Sequence, residues 1–110
     1  MTETKKTTTK KVVPAKIDRL SGNETFTYRD KNGYEYKYTL QFPGMVKAYE
    51  MLDNATMANG IISKAVLMDE YFKNVVVEPR NLTLDKFDEL PGAEELYQAI
   101  DSFLGEKMSD

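Results

Sequence analysis

The residues of this 110-residue chain that could do chemistry are concentrated in its last third. Asp85, Asp88 and Glu89 are followed closely by Glu94 and Glu95. Carboxylate oxygens are the ligands that hard cations prefer, and Asp85 and Glu89 would share one face of a helix. Their spacing is not that of a calcium loop, however, and acids at helix starts are explained by the helix dipole, so solvated carboxylates are the reading adopted. The usual catalytic companions of carboxylates are missing, because the chain has no histidine and no cysteine. Without histidine there is no ordinary general base near neutral pH and no imidazole ligand, which disfavours hydrolytic and zinc chemistry. Without cysteine there are no disulfides and no thiolate nucleophile, and a reducing compartment is compatible. Glycines occur singly, in neither a GxGxxG nor a P-loop spacing. The expectation is a protein that is not an enzyme and uses no cofactor or metal.

A second pattern with chemical potential is aromatic. Tyr34, Tyr36, Tyr38, Leu40 and Phe42 alternate with Glu35, Lys37, Thr39 and Gln41, the period of a strand with one aromatic and one polar face. Paired with Thr25 to Arg29 across Asn32 and Gly33, it predicts a β-hairpin. A two-residue turn would set Tyr28 opposite Lys37 on the same face, a mismatch of an aromatic with a polar position, whereas a loop of Lys31, Asn32 and Gly33 pairs Tyr28 with Tyr36, Phe26 with Tyr38 and Arg29 with Glu35. The second register is expected, with Gly33 left-handed. Such a stripe can stack single-stranded bases, but a lone hairpin needs its apolar face covered, and core packing is the favoured role.

Charge is unevenly spread. The net charge is -3, yet Lys5, Lys6, Lys10, Lys11 and Lys16 against Glu3 place +4 in the first 16 residues and leave -7 on the rest. Residues 1–12 read as a disordered basic arm, 13–107 as one domain and 108–110 as a polar end. A basic arm can release counterions from phosphates, which makes a small nucleic-acid-binding regulator the alternative function, against the acidic body. No signal segment or membrane-spanning run is visible, so the Asn-x-Thr triplets at Asn23, Asn54 and Asn81 are read as chance, and a soluble cytoplasmic setting is expected.

The elements that must position these groups follow from periodicity. Pro43 and Gly44 open a helix expected over 44–57, with Met45, Ala48, Tyr49, Leu52 and Ala55 on one stripe, ended by Asn59 and Gly60. A second helix is expected over 61–74. Ile61, Ala65, Met68 and Phe72 form one face, but Ile62, Val66 and Leu67 lie off it, so this helix is either buried on most sides or offers apolar surface to a partner. From Val75 to Phe87 comes a long ordered join. Its three β-branched valines favour extended backbone, Pro79 bars a helix, and Thr83 can cap a short helical turn over 85–89. The last helix carries Ala93, Leu96, Tyr97, Ile100, Phe103 and Leu104 on one side and should stop near Gly105. The fold expected is α+β: a two-stranded antiparallel hairpin packed against three main helices and one short one.

Several of these stretches together resemble the tail assembly chaperones of long-tailed bacteriophages, especially those of Gram-positive hosts. They are the hairpin closing into Leu-Gln-Phe-Pro-Gly (Leu40 to Gly44), the helix pair, Val-Val-Val-Glu-Pro (Val75 to Pro79), Leu-Thr-Leu-Asp-Lys-Phe (Leu82 to Phe87), and a last helix with Glu-Leu-Tyr and Phe-Leu. The resemblance covers most of the chain from Val12 onward. It implies a non-enzymatic role in the host cytoplasm: binding the tape measure protein, keeping it soluble, and helping tail tube protein assemble around it, with absence from the finished virion. The sequence would correspond to the short form where a family member also has a frameshifted long one. A client of this kind calls for an adaptable apolar surface, for which Ile62, Val66 and Leu67, with Met51 and Met57 at the flanks of the first helix, are the candidates. Self-association stays open, as does a structural role in joining head to tail.

Overall fold

A computed structural model describes residues 17–109. The basic arm expected over residues 1–12 lies outside the described residues. The chain forms two strands, β1 (Glu24–Arg29) and β2 (Glu35–Leu40), then helices α1 (Met45–Ala55) and α2 (Lys64–Val75). A third strand, β3 (Val76–Glu78), precedes a 3-10 helix (Leu84–Asp88) and the long helix α3 (Ala93–Met108). The class is α+β.

The hairpin has the register that side-chain alternation demands: Tyr28 opposes Tyr36, Phe26 opposes Tyr38 and Arg29 opposes Glu35, the last two joined as an ion pair. Its loop is closed by the Asp30 N–H donating to the Tyr34 carbonyl at 3.0 Å, and Gly33 takes a φ of 88°. That left-handed angle is open to glycine at no steric cost. Burial deepens along β2: Tyr34 is exposed, Tyr36 half-buried, and Tyr38, Leu40 and Phe42 are buried. The aromatic face is therefore mostly core.

The sheet has three strands, not the two of a lone hairpin. The valines that were expected to leave the helix do so by entering β3, antiparallel to β2 in the order β1, β2, β3. Helix α2 passes into β3 with no intervening loop, and the Gln41 N–H donates to the Val75 carbonyl at 2.9 Å at the changeover. A cis peptide follows between Glu78 and Pro79.

Phe72 and Val75 of α2 are fully buried, among Leu40 and Phe42 from the sheet side, Met51 from α1, and Leu96 and Ile100 from α3. Phe87 of the 3-10 helix packs its ring 5.0 Å from that of Phe72. Tyr71 stacks on Tyr97 at 5.5 Å and donates its hydroxyl to Asp101 at 3.0 Å, which ties α2 to α3. Burial first, and then the Asp101 hydrogen bond, push the Tyr71 hydroxyl far above the ordinary tyrosine range.

Four boundaries differ from the periodicity reading. Helix α1 stops at Ala55 because Thr56 turns extended and bridges to Ile62. Helix α2 starts at Lys64, since the Ser63 hydroxyl accepts the Val66 N–H at 3.3 Å and caps it, leaving Ile61 and Ile62 in the connection. The 3-10 helix is fixed by a distant acceptor and not by Thr83: the Leu84 N–H donates to Asp69 Oδ1 of α2 at 2.9 Å, while the Thr83 hydroxyl turns to Asp85. Helix α3 runs through Gly105 to Met108, so Met108 belongs to the domain and not to a polar end. Its last turn is held by Arg19 Nε donating to the Lys107 carbonyl at 2.8 Å and Lys107 Nζ donating to the Ser21 carbonyl at 2.7 Å. The first of those bonds satisfies a carbonyl that a helix end leaves open.

Two outcomes follow. A Cβ on Gly92, whose φ is 90°, would sit 2.7 Å from Tyr28 Cδ2, whereas one on Gly33 meets nothing. In urea unfolding, Gly33→Ala should lose about 1 kcal/mol through backbone strain alone, and Gly92→Ala about 1–3 kcal/mol more through the clash. Asp69 offers a pH test. Burial works against its charge, but the Leu84 N–H and the Lys73 ammonium outweigh it and hold the carboxyl below its ordinary value. Its contribution is thus complete above the unfolded carboxylate pKa and lost as pH falls through the depressed folded one. Asp69→Asn should therefore flatten the stability profile from about pH 4 downward, read by urea titrations across pH.

Candidate functional site

The connection between α1 and α2 is built like a small hairpin. The Met57 N–H donates to the Ile61 carbonyl at 2.8 Å and the Gly60 N–H to the Met57 carbonyl at 2.8 Å, with Gly60 at a φ of 84°. Asn59 Oδ1 accepts the Ile61 N–H at 3.0 Å, and the Ser63 N–H returns to the Ala55 carbonyl at 2.7 Å. This turn uses up the backbone groups and leaves the side chains of Met57, Ile61 and Ile62 facing solvent.

Helix α1 buries Ala48, Met51 and Ala55. With 3.6 residues per turn, the opposite face carries Val46, Tyr49, Glu50 and Asp53. Val46 is 73% exposed and Tyr49 54%. Val66 in the first turn of α2 is also exposed, next to the small hairpin that presents Ile62. Of the ten large hydrophobic residues exposed among the described residues, seven (Met45, Val46, Tyr49, Met57, Ile61, Ile62, Val66) fall on α1, its connection and the start of α2. Scattered exposed apolar residues are ordinary, but their concentration on one helical pair is not.

Three of the five candidate residues lie on this surface and two do not. Ile62, Val66 and Met57 are exposed. Met51 has no exposure at all and Leu67 only 5%, so both belong to the core. Of the stripe expected on α1 (Met45, Ala48, Tyr49, Leu52 and Ala55), Ala48 and Ala55 are buried, but the buried side is rotated toward Met51, which is drawn inward between them. The same rotation turns Met45 and Tyr49 outward and exposes Val46, none of which the sequence reading assigned to a surface. Leu67 lies one turn after the Ser63 cap, on the side of α2 that enters the core.

The polar groups interleaved with this surface are mainly acidic. Glu50 pairs with Lys47 at 3.4 Å, and Glu70 Oε1 accepts from Asn54 at 3.4 Å and from Asn74 at 3.3 Å. The nearest lysine on α2 is drawn away: Lys64 pairs with Glu94 of α3 at 2.9 Å and lies 5.3 Å over the Tyr97 ring. Its hydrogen bond to Glu94 raises the ammonium pKa, and the reciprocal bond depresses that of Glu94.

The chain's other chemical groups are committed elsewhere. An open groove of about 710 Å³ is lined by Asp69, Thr83, Leu84, Asp85, Phe87, Asp88 and Ala93. Asp69 there is occupied by the Leu84 N–H and by Lys73 at 3.1 Å. Among the described residues no group of three histidine, cysteine or acidic side chains is placed to hold a metal ion. No helix among them is long and apolar enough to cross a membrane.

Compared with known proteins, the chain matches no family model, no curated protein and no solved structure.

The division of the candidates into core and surface predicts a clear split in stability. Met51→Ala should cost about 2–5 kcal/mol, while Val46→Ala should stay within about 0.5 kcal/mol of the parent. Chemical denaturation of the two single variants reads the difference directly.

Proposed function

We propose that this protein is a non-enzymatic tail assembly chaperone of a long-tailed bacteriophage, acting in the host cytoplasm to bind and solubilise the tape measure protein while tail tube protein assembles around it. The observation that carries this reading is the concentration of exposed apolar side chains on α1 and its connection to α2. A long client with apolar helical stripes needs a complementary face that excludes water, and such faces are read by residues at helical spacing. Met45 and Met57 bring unbranched, polarizable side chains that repack against varied partners. The small hairpin adds Ile61 and Ile62 beside them at a site whose backbone is already fixed, so binding there orders few groups. The resemblance in Leu40 to Gly44, Val75 to Pro79 and Leu82 to Phe87 supplies the identity of the client, and the exposed face supplies a place to hold it.

The test is co-expression with the long, largely helical protein encoded by the neighbouring downstream reading frame. Rescue of that protein into the soluble fraction, with co-purification, supports the reading; an insoluble neighbour beside a well-folded partner removes it. Changing Ile62 and Val66 together to Asp should leave the helical circular dichroism intact and weaken client binding at least tenfold, or about 1.4 kcal/mol. Undiminished binding by the folded double variant would place the client elsewhere.

A further inference from the structure

We propose that the free edge of β1 receives an extended, lysine- or arginine-bearing segment of a partner protein, which joins the sheet as a fourth strand in the groove between β1 and α3. Among the described residues the sheet has two edges, β1 and β3. Sheet edges avoid pairing with other chains by being short, bulged, charged at their centre or interrupted by proline. The β3 edge is guarded in this way, being three residues long and followed by Pro79. The β1 edge is not. It has six residues, and Thr25, Phe26, Thr27 and Tyr28 run uncharged between Glu24 and Arg29 in unbroken register with β2.

The backbone groups on that edge follow from the hairpin. The Asp30 N–H donates to the Tyr34 carbonyl at 3.0 Å, so Asp30 is a hydrogen-bonded position. Such positions recur at every second residue of an antiparallel pair, which turns the backbone groups of Glu24, Phe26 and Tyr28 toward β2 and those of Thr25, Thr27 and Arg29 outward. Among the described residues no hydrogen bond reaches the outward groups.

The side chains of an added strand alternate, and every second one would enter an open groove of about 370 Å³. Its walls are the half-buried rings of Phe26 and Tyr28 and, from α3, Glu95, Gln98, Ala99 and Ser102. Spacings of three and four residues put those α3 positions in one stripe with Glu106. Gly92 lies against Tyr28 and Lys107 against Ser21, so α3 runs antiparallel to β1, with Glu95 at the Tyr28 end and Glu106 at the Glu24 end.

Charge selects the occupant. Glu24, Glu95 and Glu106 are exposed and form no ion pair with a described residue, whereas Arg29 is taken by Glu35. A segment with a cation at each end of its groove side and a small apolar residue between them, opposite Phe26, matches that pattern. A second copy does not. Two β1 strands paired about Thr27 would set Glu24 opposite Asp30 and bring the Glu95 end of one α3 to the Glu106 end of the other, and like charges placed opposite destabilise a strand pair. The groove shares no residue with the apolar face on α1 and α2, and the inference does not rest on the chaperone reading.

The probe is the end-blocked peptide Thr-Lys-Thr-Val-Thr-Lys-Thr, titrated into the isotope-labelled full chain. Amide exchange at Thr25, Thr27 and Arg29, fast in the free chain beside that of Phe26 and Tyr28, should slow at least tenfold at saturation, with shifts along α3 from Glu95 to Ser102. Methylating the peptide nitrogens of its third and fifth residues, which face β1, should abolish the effect, and methylating that of its valine should not. Glu95→Lys should weaken binding several-fold at unchanged helicity, as should added salt. No response, shifts confined to other elements, or an equal response to the peptide with both lysines replaced by Glu would overturn the proposal. Slow exchange of the three amides in the free chain would overturn it as well, because the edge would already be occupied, by a second copy where protection grows with concentration. No client is present in this experiment, so its failure and failure of the chaperone reading are separable.

Discussion

Everything in this structure hangs on the changeover at Val75 and Val76, where α2 becomes β3 without a loop. Because the helix and the strand are one continuous segment, the sheet cannot move relative to α2 without breaking the Gln41 to Val75 hydrogen bond and exposing two buried valines. Phe72, one turn earlier on α2, is thereby aimed at the inner side of the sheet, and Tyr38, Leu40 and Phe42 have something to pack against. A hairpin alone would be marginal in water; a third strand that is the tail of a buried helix removes that weakness.

The same constraint determines which surfaces remain. Helix α2 is covered by the sheet, by α1, by α3 and by the 3-10 helix, so Leu67, Met68, Tyr71, Phe72 and Val75 are consumed in the core and Val66 in its first turn is left exposed. A chain of this size has too little mass to cover its second layer as well. Helix α1 lies in that outer layer. It uses small residues, Ala48 and Ala55, around Met51 to approach α2, and its larger residues Val46 and Tyr49 are left facing water. The apolar face proposed for the client is thus the outer side of the element that completes the core, and it is stiff because its inner side is packed.

Polar chemistry plays a supporting part throughout. Asp69 joins the 3-10 helix to α2, Asp101 receives the Tyr71 hydroxyl, Glu94 holds Lys64, and Lys107 anchors the approach to β1. Each of these links elements far apart in the chain. Of the carboxylates that look in the sequence like a dense acidic cluster, Glu94 is taken by Lys64, while Asp85, Asp88, Glu89 and Glu95 remain at the surface.

The sequence by itself determined the hairpin, down to its register, because a strand has a period of two and only one loop length keeps Tyr28 and Tyr36 on a common face. It also determined the α+β class, the three long helices and the departure from helix at the valines, since these depend on neighbours within a turn or two. How far α1 is rotated about its axis was decided only by tertiary structure: Ala48 and Ala55 lie on the inward side in either case, but the position of α2 selects Met51 and not Met45 and Tyr49 to be buried with them. The inward turn of Met51 and Leu67, the pairing of the valines as a third strand, the capping of the 3-10 helix by Asp69 and the extension of α3 past Gly105 have the same origin. Each rests on a partner 15 or more residues away, and local periodicity contains no term for such a partner.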